Sequence, residues 1–259
     1  MASAISTQVG ADAVPDGEWH AYGRTAAGQR FSPLDQITPN NLNDLQEAWR
    51  YNTGQVRDGS DPGETTYEVT PLVVDDRMYI CTPFGTVITL DPTTGEELWR
   101  FDPELKQPPT VTTQHMTCRG VSYHDAGPDA EQGATTNNDI VSDAERLQMS
   151  VAEVTSKAAG VAQNVAAGQA MPGDPNPKVK LDAGYAGAAG NCRQRLFVPT
   201  SDGRLIAISA IDGSICPGFG GDDGTINLWA NMPNVTPGSY YSTSPPVVTD
   251  KVIIVGGAV

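Results

Sequence analysis

MYICTPFGTVITLDPTTGEEL, residues 78–98, aligns without a gap on LFVPTSDGRLIAISAIDGSIC, residues 196–216. The offset between the two stretches is a constant 118 residues. Gly85 and Gly95 of the first copy both fall on glycines of the second, at places where a turn needs a residue free to adopt positive φ. Short apolar segments separated by glycine turns therefore recur along the chain.

A second repeat relates TPLVVDDRMYI, residues 70–80, to SPPVVTDKVII, residues 244–254. In each copy a short apolar segment meets a polar two-residue turn, at Asp75-Asp76 or at Thr249-Asp250, and a second apolar segment follows. This pattern is typical of a β-hairpin. The two repeats together predict an all-β protein of meandering antiparallel strands, a β-propeller or a related repeat array, in which each blade must stack on its neighbours.

The two copies lie farther apart than the ~40 to 50 residues of a usual propeller blade. The excess is an insertion over residues 127–191, which is rich in Ala, Gly, Asn, Gln and Pro. Within it apolar residues recur at alternating steps of four and three, which is helical spacing. Ser142 with Glu145 forms a capping box and Gly168 a stop signal, so we predict one amphipathic helix near residues 142–167. We interpret the insertion as a surface excursion that packs on the propeller or on a partner.

The charge of the chain narrows the functional classes. Sixteen basic and 31 acidic residues give a net charge of −15. An acidic surface of that size repels phosphate backbones and anionic lipid heads, so we predict no nucleic-acid partner and expect small-molecule ligands. No apolar run approaches the ~18 residues that a transmembrane helix needs, and residues 1–17 lack the basic and apolar regions of a signal peptide.

The four cysteines are Cys81, Cys118, Cys192 and Cys216. They show no CxxC spacing and lie too far apart for a zinc knuckle. Four thiols allow three complete disulfide pairings, and an oxidising compartment would favour at least one bond. Free buried cysteines explain the same count, so the sequence leaves the pairing open.

Longer motifs resemble one family. WHAYGRTAAGQRFSPLDQITPNNLNDLQEAW, from Trp19, is similar to the opening of dehydrogenases that use pyrroloquinoline quinone (PQQ). LDPTTGEELWRFDP, from Leu90, resembles their tryptophan-docking repeat, in which Gly95 makes the turn and Trp99 packs against the adjacent blade. DPGETTYEVTPLVV, QHMTCRGVSYH and NMPNVTPGSYYSTSPPVVTDK resemble, in that order, the membrane-bound glucose, quinate and shikimate subgroup. The resemblance covers nearly the whole chain apart from the insertion and the first dozen residues.

The resemblance implies an eight-bladed propeller of four-stranded sheets, with PQQ near the central axis and a Ca²⁺ or Mg²⁺ ion on the quinone. We therefore expect residues 19–259 to form an incomplete set of about three blades with one helical insertion, after an N-terminal extension over residues 1–18. The cation ligands and the catalytic aspartate are expected beyond Val259, so no residue is assigned as catalytic or as a metal ligand. The missing C-terminal blades are then an expected partner, and the chain alone is expected to be inactive.

Four residues match cofactor-binding positions of the family: Glu68, His115, Arg119 and Thr243. PQQ is a flat tricarboxylate, and the planar guanidinium of Arg119 suits a bidentate, charge-assisted pair with one carboxylate. The resemblance places His115 against the cofactor, where related alcohol dehydrogenases use a disulfide of adjacent cysteines. Glu68 would accept hydrogen bonds from the cofactor edge, and Thr243 completes the set.

Each of the four also has a purely structural interpretation. Arg119 would form a salt bridge, and His115 would be a hydrogen-bonded structural residue. Glu68 would be an exposed acid at a strand entry, and Thr243 would shape the chain ahead of the prolines.

The function implied by the resemblance is oxidation of a sugar or cyclic polyol. Glucose is the first choice and quinate or shikimate the alternative, with electrons passing to ubiquinone. The implied location is the periplasm, attached to the inner membrane through an anchor absent from this chain. A non-enzymatic scaffold built from the same repeat is a further alternative, although a scaffold has no need of His115 and Arg119. A lectin-like β-domain is disfavoured because the chain has no DxDxD loop.

Overall fold

The computed structural model describes residues 14–55, 65–105, 116–127, 192–220, 223–230, 232–233, 235, 240–249 and 252–257. Within these ranges the secondary structure is antiparallel strands and one short 3₁₀ helix, Leu42–Asp44. No helix in the described ranges has the length and apolar content to span a membrane. The predicted insertion over 127–191 lies outside the described residues except for Gly127, as does the predicted helix near 142–167.

The first sheet has four antiparallel strands in sequence order: β1 (Leu72–Val74), β2 (Arg77–Cys81), β3 (Val87–Leu90) and β4 (Glu97–Phe101). Asp75 and Asp76 connect β1 to β2 with φ values of 48° and 57°. Positive φ at both central residues is the pattern of a type I′ turn, which matches the twist of a hairpin. The predicted turn at Asp75-Asp76 is confirmed.

The second sheet repeats this order: β5 (Ser122–Asp125), β6 (Gln194–Pro199), β7 (Arg204–Ser209) and β8 (Thr225–Asn227). Its two middle strands fall on β2 and β3 at the predicted offset of 118 residues. The fourth strand departs from the repeat. The residues that would match β4 contribute only an isolated bridge between Ile208 and Ile215, and β8 begins at Thr225.

A two-stranded hairpin follows, formed by β9 (Val247–Val248) and β10 (Ile253–Ile254). Val248 pairs with Ile253, and the amide of Thr249 donates to the carbonyl of Val252 at 3.0 Å. Thr249, predicted as a turn residue, therefore pairs with Val252 at the end of the hairpin, and the two residues between them lie outside the described ranges. The hydroxyl oxygen of Thr249 also accepts the amide hydrogen of Val252 at 3.0 Å, which adds a second bond between these two residues.

The three sheets stack through buried apolar faces. One cluster joins the first sheet to the second and includes Leu72, Val74, Tyr79, Leu196, Val198, Ile206 and Ile208. A second cluster joins the second sheet to the β9–β10 hairpin and includes Phe197, Leu205, Ala207, Phe219, Val248 and Ile253. Burial at these faces is the main favourable term, at roughly 25 cal/mol per Å² of apolar surface. Stacked meandering sheets of this kind are the blades of a propeller, which confirms the predicted fold of about three blades.

Among the described residues, three glycine turns are covered directly by a tryptophan. Trp229 lies on Gly203, where an added Cβ would lie 2.2 Å from the indole. Trp99 covers Gly213, where an added Cβ would lie 2.6 Å from the indole, and φ is +72°. The predicted packing of Trp99 on the adjacent blade is therefore confirmed. Trp49 covers Gly95 in the same way, also at 2.6 Å. Its sequence signal is the match of EAWRY, residues 47–51, to ELWRF, residues 97–101.

All four cysteines form disulfides, Cys81–Cys118 and Cys192–Cys216. Cys81 ends β2 and Cys118 precedes β5, so the first bond joins the first sheet to the entry of the second. The second bond closes a loop within the second sheet. The pairing that the sequence left open is thereby settled.

Candidate cofactor-binding site

The segments that enter β1, β5 and β9 lie side by side where the three sheets meet. We call residues 65–71, 116–121 and 241–246 the three entry segments. The amide of Thr70 donates to the carbonyl of Arg119 at 3.0 Å, and the amide of Arg119 donates to the carbonyl of Thr243 at 2.9 Å. Arg119 is thus the backbone link between its two neighbours.

The side chain of Arg119 also bonds to both neighbouring entry segments. Its Nε donates to Oε2 of Glu68 at 2.8 Å, and its Nη1 donates to Oγ1 of Thr243 at 3.0 Å. We call these three residues the Arg119 cluster. Three of the four predicted cofactor positions are therefore brought together, although Glu68 and Thr243 lie far from Arg119 in the sequence.

The guanidinium of Arg119 retains unused hydrogen-bonding capacity. It carries five N–H donors, and two of them serve Glu68 and Thr243. In the part of the chain that the structure describes, the other three donate to no residue. The side chain is 45% exposed and that of Glu68 is 39% exposed. Solvent limits such a pair to about 0–1 kcal/mol of stability, so the pair orients the guanidinium more than it stabilises the fold.

His115, the fourth predicted position, lies outside the described residues. Its neighbour Met116 is described and is buried. The amide of Thr66 donates to the carbonyl of Met116 at 3.0 Å, which begins the contact between the first two entry segments. A cofactor role for His115 stays a prediction.

A narrow crevice beside the Arg119 cluster adds two polar residues that the motifs did not single out. Thr117 and Ser201 line it together with Thr243. The hydroxyl oxygens of Thr117 and Ser201 are buried and have no hydrogen-bond partner among the described residues. A buried polar group without a partner costs about 1–3 kcal/mol. Thr117 stands two residues before Arg119, inside the QHMTCRG motif, which is the signal that would have identified it.

The exposed N–H donors of Arg119 fit an anionic ligand such as PQQ. Arg119 offers a half-exposed cation with three unused N–H donors, whereas the neighbouring crevice has room for about one water molecule beside its two buried hydroxyls. Charge-assisted bonds from a guanidinium to a carboxylate are among the stronger hydrogen bonds in proteins. Within the described ranges, no group of three or more His, Cys, Asp or Glu side chains is arranged to hold a metal ion.

Comparison with other sequences gives relatives that match nearly the whole chain. Quinoprotein glucose dehydrogenase of Escherichia coli K12 is 39% identical over 98% of this chain and 26% of the relative. Quinoprotein glucose dehydrogenase A of Acinetobacter calcoaceticus is 38% identical over 96% of the chain and 25% of the relative. A probable quinate dehydrogenase (quinone) of Xanthomonas campestris pv. juglandis is 32% identical over 95% and 26%. The chain spans about a quarter of the length of these relatives.

Comparison with solved structures supports the fold. The quinohemoprotein alcohol dehydrogenase of Comamonas testosteroni superposes with a TM-score of 0.53 at 21% identity, covering 93% of this chain and 23% of that one. A europium-containing methanol dehydrogenase gives a TM-score of 0.55 at 19% identity, covering 94% and 28%. Residues 19–173 and 178–259 match the family described as PQQ glucose/ethanol/alcohol dehydrogenase, beta-propeller domain. With nearly the whole sequence matched and the blade stacking in place, the chain belongs to the PQQ-dependent dehydrogenase β-propeller family.

Proposed function

We propose that the protein acts as a PQQ-dependent dehydrogenase that oxidises a sugar or a cyclic polyol, with glucose as the first substrate. The observation that carries the proposal is the Arg119 cluster. It presents an oriented, half-exposed guanidinium with unused donors at the point where three propeller blades meet. The names of the more similar relatives support glucose over other substrates.

Each member of the Arg119 cluster has a defined task in this proposal. The unused N–H donors of Arg119 bind a carboxylate of the cofactor. Glu68 and Thr243 hold the plane of the guanidinium, which lowers the entropy lost when the ligand binds. Glu68 is also proposed to accept hydrogen bonds from the cofactor edge, as the family resemblance predicts. A bound PQQ supplies the two-electron acceptor for alcohol oxidation, and we propose that a Ca²⁺ or Mg²⁺ ion accompanies it. His115 is proposed to contact the cofactor by family resemblance alone.

The charge distribution favours Arg119 as the anion contact. The chain as a whole carries a net charge of −15, which disfavours the approach of an anionic ligand to most of its surface. An oriented cation at the meeting point of the blades therefore selects the position at which a tricarboxylate can dock.

We also propose ubiquinone as the electron acceptor and the periplasmic side of the inner membrane as the location. The relative from Xanthomonas campestris carries "(quinone)" in its name, which supports a quinone acceptor. Both disulfides support an oxidising compartment, because such bonds are rare in reducing ones.

Quinate or shikimate is the second candidate substrate. A quinate/shikimate dehydrogenase (quinone) of Acinetobacter baylyi is 29% identical over 93% of this chain. Because the glucose relatives reach 39% over a similar span, we place glucose first. A non-enzymatic scaffold remains the alternative from another class, and it predicts no cofactor binding.

The test has two arms. PQQ binding by the chain is measured by equilibrium dialysis with Ca²⁺ and with Mg²⁺. The PQQ-loaded protein is then assayed for dye reduction with D-glucose, quinate and shikimate in the presence of the C-terminal blades that the chain is expected to need. Binding by the chain, with dye reduction fastest on D-glucose once the C-terminal blades are supplied, is the expected result. Faster reduction with quinate or shikimate would move the assignment to the second candidate. A folded protein that binds no PQQ would contradict the proposal and favour the scaffold.

A further inference from the structure

The disulfide Cys81–Cys118 is adjacent in sequence to Arg119, whose guanidinium we propose binds the cofactor. Cys118 directly precedes Arg119, and Cys81 is the last residue of β2 in the first sheet. Both cysteines are buried, at 0% and 6% exposure. The bond therefore ties the backbone of an exposed functional residue to the core of a neighbouring blade.

The other side of Arg119 is also held. Gly120 has a φ of +150°, and a Cβ added there would meet the carbonyl oxygen of Thr70 at 3.4 Å and the ring of Pro245 at 3.7 Å. Gly120 therefore lies between the other two entry segments, at a distance where an added Cβ would make ordinary van der Waals contact with both. Arg119 has a covalently fixed neighbour before it and a buried glycine between the other two entry segments after it, while its own side chain reaches solvent.

The second disulfide has a different position and serves as an internal comparison. Cys192–Cys216 is equally buried, at 4% and 1% exposure, but it lies in the cluster between the second sheet and the β9–β10 hairpin. The two bonds close loops of similar length, with sequence separations of 37 and 24 residues. Loop-closure entropy changes slowly with length, so both bonds should stabilise the fold to a similar degree.

We propose that Cys81–Cys118 is a positioning element for Arg119, and that it fixes the guanidinium in the orientation required for binding an anionic quinone cofactor. This inference rests on the proposed function of the Arg119 cluster. The disulfide does not contact the ligand. It acts by restricting the entry segment that carries Arg119, so that less conformational freedom is lost on binding.

The test compares two double variants of the full chain, Cys81→Ala with Cys118→Ala and Cys192→Ala with Cys216→Ala. Both cysteines of a pair are replaced together because a lone thiol would react with a quinone. PQQ affinity is measured for each at the same interval below its own melting temperature, which separates positioning from global stability. We expect about tenfold weaker binding for the first variant and little change for the second.

Hydrogen exchange supplies a readout that needs no cofactor. The amide of Arg119 donates to the carbonyl of Thr243 in the folded chain, so its exchange reports on the entry segment. We expect faster exchange at Arg119 after loss of Cys81–Cys118 and unchanged exchange after loss of Cys192–Cys216. If the first variant does not fold, Cys81→Val with Cys118→Ala replaces it, since valine fills more of the buried volume.

The outcomes separate this inference from the proposed function. If Arg119→Ala weakens PQQ binding but the two disulfide variants bind alike and exchange alike at Arg119, the positioning role is overturned and the cofactor site stands. If the wild-type chain binds no PQQ, the proposed function fails. Faster exchange at Arg119 only after loss of Cys81–Cys118 would then show that the disulfide restricts this segment although the segment binds no cofactor.

Discussion

The two four-stranded sheets share their middle strands and their glycine turns but differ at their edges. β2 and β3 fall on β6 and β7 at a constant offset, whereas β8 starts well past the position that matches β4. The cross-links differ as well, since one disulfide leaves the first sheet and the other stays within the second. The repeated middle strands and turns therefore form the common part of each blade. The features that differ between the sheets include Cys81–Cys118, which joins two blades next to the candidate site.

The docked tryptophans Trp49 and Trp99 show the same principle in detail. The indole of Trp49 donates to the carbonyl of Pro92 at 3.1 Å. Ala210 stands at the matching position of the second sheet, but its carbonyl accepts the hydroxyl of Tyr79 at 3.0 Å. The buried indole N–H of Trp99 has no partner among the described residues. Equivalent stacking is thus accompanied by different hydrogen bonds.

The largest loss of stability is expected when the packing of a tryptophan on a glycine turn is disrupted. Gly213→Ala places a Cβ 2.6 Å from Trp99 and forces alanine to a φ of +72°. The left-handed backbone costs about 1–2 kcal/mol and the overpacking about 1–3 kcal/mol. We expect the free energy of unfolding to fall by about 2–5 kcal/mol in guanidinium denaturation.

Gly54→Ala is the matched control for that variant. Gly54 has a φ of +77°, and an added Cβ would have no atom within 4 Å. It should lose only the backbone contribution. Equal losses in the two variants would show that Trp99 does not press on Gly213 as described.

A smaller effect should distinguish the two tryptophans. Trp49→Phe removes a hydrogen bond and leaves the carbonyl of Pro92 without that donor, whereas Trp99→Phe removes an indole N–H that donates to no described residue. We expect Trp49→Phe to lower the free energy of unfolding by about 1 kcal/mol more than Trp99→Phe in urea denaturation. An equal decrease in the free energy of unfolding for both variants would contradict the stabilising role of the hydrogen bond from Trp49 to Pro92.

The smallest effect is a pH-dependent change in stability due to Glu97 in the first sheet. The second sheet lacks this carboxylate, because Ile215 stands at the matching position. Hydrogen bonds from Arg100, and then from Tyr51, hold the pKa of Glu97 below its usual value of 4.5. A depressed pKa in the folded state contributes stability above the unfolded pKa, and this contribution is lost as the pH falls through the folded pKa. Because the pair is about one-third exposed, we expect less than about 1 kcal/mol.

The measurement is thermal denaturation as the pH falls from neutral to below the usual pKa of Glu97, for Glu97→Gln and for the neighbouring control Glu96→Gln. Glu97→Gln should lose less stability on acidification than the wild type, and Glu96→Gln should follow the wild type. Parallel curves for all three proteins would contradict the assigned role of Glu97.

Sequence patterns predicted the features that depend on local chemistry. Gly85 and Gly95 adopt positive φ as their turn positions require, and Trp99 packs on the next blade. Glu68 and Arg119 meet because their motifs precede the first strands of adjacent sheets, which the repeat brings side by side.

Features that depend on three-dimensional distance were not predictable in this way. Cysteine spacing does not encode which thiols approach each other, so the Cys81–Cys118 pair required coordinates. The late start of β8 was hidden because the gapless match of the repeat ends at Cys216, before the chain departs from it. Thr117 stands inside a motif that marked its neighbours, but its burial without a partner is a property of the coordinates and not of the residue type.

The most direct test of the central claim is PQQ affinity of Arg119→Ala against Arg50→Ala. Arg50 is the matched control, because it is also an exposed arginine paired with a glutamate, at 2.8 Å from Glu47. A lost charge-assisted contact is worth about 1.5–3 kcal/mol, so we expect Arg119→Ala to bind PQQ at least about tenfold more weakly while Arg50→Ala binds as the wild type does. Equal affinity in all three proteins would contradict the assignment of the Arg119 cluster to the cofactor.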